Sequence, residues 1–296
     1  MRRLAPAEVG LLVTVVIWSF NFTFTKYVLS HGVQPLAWSG IRFTSGAIVF
    51  AVLTLSLEGS LRMRRRDLAV LGIAASVGIW LNQIAFVYAI ERSTASTVAL
   101  VFGTLPIFTM LIARALGVER LSRRFVAASL VSFGGVALVA AGSHGDVAGS
   151  PLGIALALAA SATWSFYSVM IAPLMRSYSA FRISAIGLLF AAALLLPTAA
   201  PQLASQDWDL PALVWVVIAF AIVGPLVITN VLWFTGIDRV GPSRAALYAN
   251  LQPFLGAVVA VALLSEHMTG VQVAGGLLIA AGIALARRRT AIPASE

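Results

Sequence analysis

Long apolar runs recur from one end of this chain to the other, and each is long enough to cross about 30 Å of hydrocarbon as a helix. Hydrocarbon offers no water to a free backbone N–H or C=O, so a run of this length has to be α-helical. Composition agrees. The chain is 60% hydrophobic and 10% charged, where a soluble domain carries about 25% charged residues. Polar surface on that scale is too small to cover a water-facing core of 296 residues. The fold class is therefore an all-α polytopic membrane protein with the lipid bilayer as its solvent.

Charges, Gly/Pro and polar clusters divide the chain into ten spans, near 7–27, 36–57, 68–90, 95–116, 125–142, 151–175, 182–200, 211–237, 243–264 and 271–286. The links are too short to fold as separate domains. Arg2-Arg3 before the apolar run Val9 to Ile17 imitates a secretory leader, but Trp18-Ser19-Phe20-Asn21-Phe22 follows without a small-x-small cleavage site. A retained first span is expected.

The formal charge of +9 is not a nucleic-acid signature, because the basic residues sit in short clusters between spans. With the N-terminus inside, seventeen fall on the inner side, from Arg2 and Arg3 through Arg62, Arg64, Arg65 and Arg66 to Arg287, Arg288 and Arg289. Lys26 and Arg92 alone fall outside, so both termini are expected in the cytoplasm of a plasma (inner) membrane protein. The absence of cysteine excludes disulfides and thiolate metal sites. No H-E-x-x-H, no mid-span aspartate pair and no G-x-S-x-G is present, so neither an enzyme nor a cofactor or metal is expected.

The chain also repeats itself. Ile90-Glu91-Arg92 matches Ile237-Asp238-Arg239, Ala99-Leu100 matches Ala246-Leu247, Pro106 matches Pro253 and Glu119 matches Glu266, all 147 residues apart. Trp18-Ser19-Phe20 matches Trp164-Ser165-Phe166 at an offset of 146. Chance similarity of greasy segments does not hold one offset through Pro, Arg and Glu. Residues 1–146 and 147–296 then form two five-span units. Five is odd, so the second unit enters the membrane from the opposite side, an inverted-topology repeat around a central cavity. Alternating access uses such symmetry, whereas a scaffold has no need of it. Because the inversion is built into one chain, a monomer is expected to suffice.

Several motifs, taken together, resemble the drug/metabolite transporter superfamily in its ten-span EamA-type branch. Trp18-Ser19-Phe20-Asn21-Phe22 with Lys26 resembles the first span; Pro35, Ala37 and Arg42-Phe43 resemble the second. Pro106 with Glu119-Arg120-Leu121 resembles the fourth, and Pro253 with Glu266 the ninth. Gly134-Gly135 and Gly275-Gly276 with Gly282 resemble the fifth and tenth. The resemblance implies two five-helix halves around a cavity and a substrate among metabolites, amino acids or drugs. Within the branch, YddG-like exporters of aromatic amino acids are the nearest match.

Depth by helix rise puts Trp18 near the midplane, about 15 Å past Glu8. Thr14, Trp18, Asn21 and Thr25 share a stripe; the threonines read as inter-helix hydrogen bonding, Trp18 and Asn21 as cavity wall. Tryptophan concentrates at interfaces, so Trp18, Trp80 and Trp164 at depth read as an aromatic lining. Tyr167, Tyr88 and Tyr248 add hydroxyls, and Gln83, Asn230 and Asn250 add amides, the make-up of a small-molecule pocket. Pro106 and Pro253 free the carbonyls of Phe102 and Ala249 and serve as hinges. Lys26 and Arg42, about 9 Å into its span, either snorkel onto backbone carbonyls or attract a substrate carboxylate.

Every carboxylate lies in a loop or at a span end, and the three histidines are peripheral. A proton-coupled multidrug exporter lacks its midplane acid, and a phosphate-ester or nucleotide-sugar antiporter lacks enough cations. Passive or weakly coupled export of amino acids or similar metabolites is the expectation left standing. A reporter fused at Glu296 is predicted to read the cytoplasmic face; a periplasmic signal overturns this topology.

Overall fold

Prolines set the starts of these helices and polar side chains cap them. The computed structural model describes residues 5–119, 122–141, 150–264 and 269–287. Helix α1, Pro6–Ser30, opens on a proline whose missing N–H costs nothing at that position, and Glu8 accepts from the Ala5 N–H at 2.8 Å. Helix α2, Pro35–Glu58, starts the same way and stops at Gly59 in the left-handed region. There follow α3, Arg65–Arg92, and α4, Thr97–Ala115, with Thr94 as its N-cap. Next come α5, Arg123–Ala141, and α6, Pro151–Arg176, capped by Ser150. Then α7, Ala180–Ser205, is capped by Ser179, and α8 is Ala212–Val240. The chain closes with α9, in two pieces Pro242–Ala249 and Leu251–Leu264, and α10, Gly270–Arg287.

The helices α1 to α8 are all long and apolar enough to cross a membrane. The bundle presents bare hydrocarbon outward: Ile48, Val52, Leu57, Leu130, Val216 and, in α10, Leu277 each keep more than half of their surface exposed, which only lipid accepts at that density. Some hydroxyls inside the apolar stretches are satisfied along their own helix, as in Thr14 to the Gly10 carbonyl at 3.0 Å and Ser19 to Val15 at 2.8 Å. The threonines of the first stripe are buried, but neither makes the inter-helix hydrogen bond expected of it: Thr14 bonds within its own helix and Thr25 Oγ1 has no partner.

The expected boundaries agree with α1 to α8 except where polar pairing extends a helix. The sequence ends the seventh span at 200, but α7 continues through Pro201 to Ser205. That extension delivers Gln202 and Gln206, which accept from the Leu36 and Gln34 N–H groups at 2.6 and 2.7 Å and so cap α2. Arg2, Arg3, Arg120, Leu121, His144, Asp146, Glu266, His267, Arg288, Arg289 and Glu296, together with the boundary at 146/147, lie outside the described residues.

Departures from α-helix recur at the spacing of the repeat. A π-helical turn occupies Ser76–Leu81 in α3 and another occupies Val223–Ile228 in α8, at positions 147 apart. In α4 a 3-10 turn, Phe102–Thr104, precedes Pro106, and in α9 the helix is interrupted at Asn250 before Pro253. Both interruptions fall where a proline removes the donor for the carbonyl four residues back.

Glu119, just past α4, reaches the start of α9 and accepts from the Ser243 N–H at 3.3 Å. Burial raises its carboxyl above the usual range, opposed by the hydrogen bonding of Ser243 and by Arg244. Gly241 makes room for it: φ there is +85°, and an added Cβ would collide with the carboxylate. Glu119 thus stands at a helix end, as the sequence places every carboxylate, and anchors the start of α9.

Helices α5 and α10 meet backbone to backbone. A Cβ at Gly135 would stand 2.6 Å from the Gly275 carbonyl oxygen, one at Gly275 2.7 Å from the Gly135 oxygen, and one at Gly282 2.8 Å from the Ala128 oxygen. Small residues are what allow this approach in lipid. Gly135→Ala is expected to force the helices apart at a cost of about 1–3 kcal/mol, seen as a lower melting temperature in detergent. Gly134→Ala, whose nearest neighbour is Leu278 at 3.8 Å, should melt like the wild type; equal melting of both variants contradicts the packing.

Candidate functional site

The π turn in α3 decides which side chains face the middle of the bundle. One extra residue per turn rotates the helix face, so Ile79, Asn82 and Gln83 point inward while Trp80 does not. A central cavity results, open at its mouth and walled mainly by apolar and aromatic side chains with a few polar ones, the make-up of a small-molecule site. Helices α1, α2, α3, α4, α6, α7, α8 and α9 all contribute to its wall.

Two aromatic clusters flank it. Phe22, Phe86 and Phe102 pack edge-on with centroids 5.4–5.9 Å apart. Trp18 meets Trp164 at 5.7 Å and Trp233 at 4.8 Å, and Trp164 meets Tyr167 at 5.6 Å. These are the separations at which ring quadrupoles attract. Trp18 is held by its indole N–H, which donates to Thr229 Oγ1 at 2.9 Å and to the Pro225 carbonyl at 3.3 Å, a carbonyl inside the π turn of α8. Gly78 and Gly187 let Tyr167 in: a Cβ on either would clash with it, at 2.1 and 2.8 Å.

Between the clusters lie the polar groups. Asn82 donates to the Ala160 carbonyl at 2.7 Å and accepts from Gln83 Nε2 at 3.1 Å, which fixes the Gln83 amide with its oxygen unpartnered. Asn21 Oδ1 accepts from Arg42 Nη2 at 3.2 Å. Asn230 and Gln252 complete the amides. No aspartate or glutamate stands among the described residues that line the cavity, and no His/Asp/Glu group among them is arranged to hold a metal ion.

Of the residues singled out from sequence, Trp18, Asn21, Gln83, Trp164, Tyr167, Asn230 and Arg42 meet at this cavity. Others do not. Trp80 turns to α7 and donates to Thr198 Oγ1 at 3.1 Å. Tyr88 accepts from Gln202 at 3.2 Å, tying α3 to α7. Tyr248 donates to Glu8 at 3.1 Å, tying α9 to the start of α1. Asn250 donates to Ser132 at 2.9 Å, tying the break in α9 to α5. Lys26 stands outside the wall as well, its ammonium donating to the carbonyls of Ile90 and Ser93 at 2.8 Å and of Glu91 at 3.3 Å, closing the end of α3. Pro106 and Pro253 are buried beside the helix interruptions, outside the wall. Sequence reasoning passed over Asn82, Gln252 and the phenylalanine cluster. Asn82 and Gln252 carried a usable signal, as amides deep in apolar runs.

An all-helical bundle, apolar towards lipid and enclosing an aromatic and amide-lined cavity, defines the class: a multi-pass membrane transporter of small molecules. The EamA-like transporter family matches the chain twice, over residues 5–141 and 151–288, and the chain belongs to that family. It is 28% identical to a probable terminal-alkyne amino-acid exporter of Streptantibioticus cattleyicolor, over 97% of this chain and 95% of that relative. It is 27% identical to a probable amino-acid metabolite efflux pump of Salmonella typhimurium, over 92% of this chain and 91% of the relative. An uncharacterised inner membrane transporter of Escherichia coli is 24% identical over 99% of this chain and 94% of its own length. One solved crystal structure shares the fold at a TM-score of 0.77 and 20% identity, over 95% of this chain and 96% of the other.

Asn82→Leu is expected to strand the Gln83 amide in the wall and destabilise the bundle by about 1–3 kcal/mol. Thermal unfolding in detergent measures it, and an unchanged melting temperature contradicts the role given to Asn82.

Proposed function

We propose that this chain exports amino acids, aromatic and neutral ones among them, or their close metabolites, by alternating access. Ten spans form two five-helix halves of inverted topology, residues 1–146 and 147–296, with both termini cytoplasmic and one chain sufficing. The observation that carries this reading is the pairing in the cavity wall. Trp18 and Trp164, related by the 146-residue offset, touch each other in that wall at 5.7 Å. Asn21 and Tyr167 share that offset, and Gln83 and Asn230 the offset of 147. A site built from equivalent positions of two halves is what exchange of their conformations requires. The named relatives, two of them described as exporters of amino acids or their metabolites, support the substrate class. The helix interruptions beside Pro106 and Pro253 are the natural flexing points.

Transport is not proton-driven in this scheme, since no acid or histidine is among the described residues of the wall. Proteoliposomes loaded with phenylalanine should accumulate labelled phenylalanine by counterflow, and an imposed proton gradient should add little. Trp164→Ala should raise the half-saturating concentration up to about tenfold through the lost ring contact. Uphill uptake driven by protons alone overturns the coupling, and absence of counterflow for every amino acid tried overturns the substrate class.

A further inference from the structure

Arg42 stands out from every other charge in the bundle. It is 3% exposed, and it is the one charged side chain among the described residues that is buried. The ion pairs found are elsewhere, at Glu91–Arg92, Glu58–Arg182 and Asp238–Arg239. Arg42 has instead one hydrogen bond, to Asn21, and the ring faces of Trp38 at 4.7 Å and Phe43 at 5.7 Å. Its Nε and Nη1 are buried without a protein partner. Cation–π contact offsets part of the desolvation cost and leaves the full positive charge in place.

The same wall holds more unused groups. Gln83 Oε1 and Gln252 Oε1 are buried acceptors without a donor, and Trp164 Nε1 and Tyr167 Oη are buried without an acceptor. Unpartnered buried polar atoms occur elsewhere in the bundle too, mostly single hydroxyls such as those of Ser39, Thr54 and Ser184. Among the described residues, only at this cavity do they stand with a buried charge around an open space that a ligand can fill. The pattern is one cation, two neutral acceptors and two neutral donors between aromatic clusters.

We propose that Arg42 is the carboxylate anchor of this cavity and that the site selects monocarboxylates, with a free ammonium group dispensable. The inference rests on the central cavity being the substrate site. A carboxylate takes the unused Arg42 donors and cancels the one buried charge. A zwitterionic amino acid does so too, but its ammonium then meets only amide oxygens and leaves the cavity net positive. An N-acyl amino acid leaves it neutral: its amide N–H suits Gln83 or Gln252 Oε1, and its acyl oxygen suits the Trp164 or Tyr167 donor. A dianionic phosphate ester lacks a second cation, since Lys26 is spent on three carbonyls.

The test compares four compounds sharing one ring as competitors of labelled phenylalanine in wild-type proteoliposomes. N-acetylphenylalanine should compete at least as well as phenylalanine, and phenylalaninamide, which lacks the carboxylate, about tenfold more weakly or worse. Phenyl phosphate should compete less well than N-acetylphenylalanine. Arg42→Gln should abolish the preference for carboxylate over amide, and Arg42→Lys should retain it. Phenylalaninamide competing as well as phenylalanine overturns the anchor, and phenyl phosphate competing best overturns the monocarboxylate. If phenylalanine is not transported at all, the amino-acid reading fails separately. Binding of the same four compounds to solubilised protein, read by tryptophan fluorescence beside Trp18 and Trp164, then decides the anchor by the same order. Should Arg42→Gln fail to fold, the wild-type order and Arg42→Lys carry the test.

Discussion

A backbone amide inside hydrocarbon has no partner except another part of the protein, and the form of this molecule follows from that constraint. It makes every apolar stretch a helix. It also restricts where a helix can be interrupted, because each irregular turn frees a polar group that lipid will not accept. The irregular turns within the spans, as opposed to the 3-10 turn that ends α6 at Leu174–Arg176, are beside the cavity. The π turn of α3 carries Ile79 into the wall, and that of α8 carries Pro225 and Leu226. The 3-10 turn of α4 begins at Phe102, also in the wall, and the break at Asn250 stands two residues before Gln252. Freed groups are put to use: the Pro225 carbonyl accepts from Trp18.

The same constraint shapes the packing between helices. In water a glycine stripe mainly weakens a helix, whereas in lipid, where apolar burial drives little, close backbone approach is what holds helices together. Gly135, Gly275 and Gly282 do this for α5 and α10, away from the cavity. Around the cavity the glycines do something else. Gly78 admits Tyr167 and Gly46 admits Leu226, whose Cδ2 stands 2.2 Å from an added Cβ. One residue type thus fastens the periphery and shapes the wall.

The spans and the aromatic pair were legible because they depend on quantities a sequence displays. Apolar length gave α1 to α8, and the shared Trp-Ser-Phe pattern marked Trp18 and Trp164. Face was less legible than depth. Trp80 lies in a π turn, and regular helical periodicity misplaces everything within one. Tyr248 and Asn250 are buried and Tyr88 partly so, and their partners are on neighbouring helices. A polar group facing a helix and one facing a cavity look alike in sequence, since both avoid lipid for the same reason. Lys26 and Arg42 illustrate this best: two membrane cations alike on paper, one absorbed by the end of α3 and one left with free donors.

That last contrast bears on how such a protein stays stable with a charge inside it. A buried guanidinium with two unused donors is costly, and nothing in packing alone maintains it. Replacing it with an apolar side chain would relieve the bundle, as it often does for buried ionic groups in other folds. Asn21, Trp38 and Phe43 hold Arg42 without neutralising it, so its charge remains available to whatever enters. An aspartate beside it would remove the cost, and would equally remove the attraction for an anion. A transporter must also release what it binds, and a single cation among neutral amides attracts an anion without trapping it, as a pair of cations would. The arrangement around Arg42 therefore sits between two failures, a wall with no affinity and a wall that never lets go.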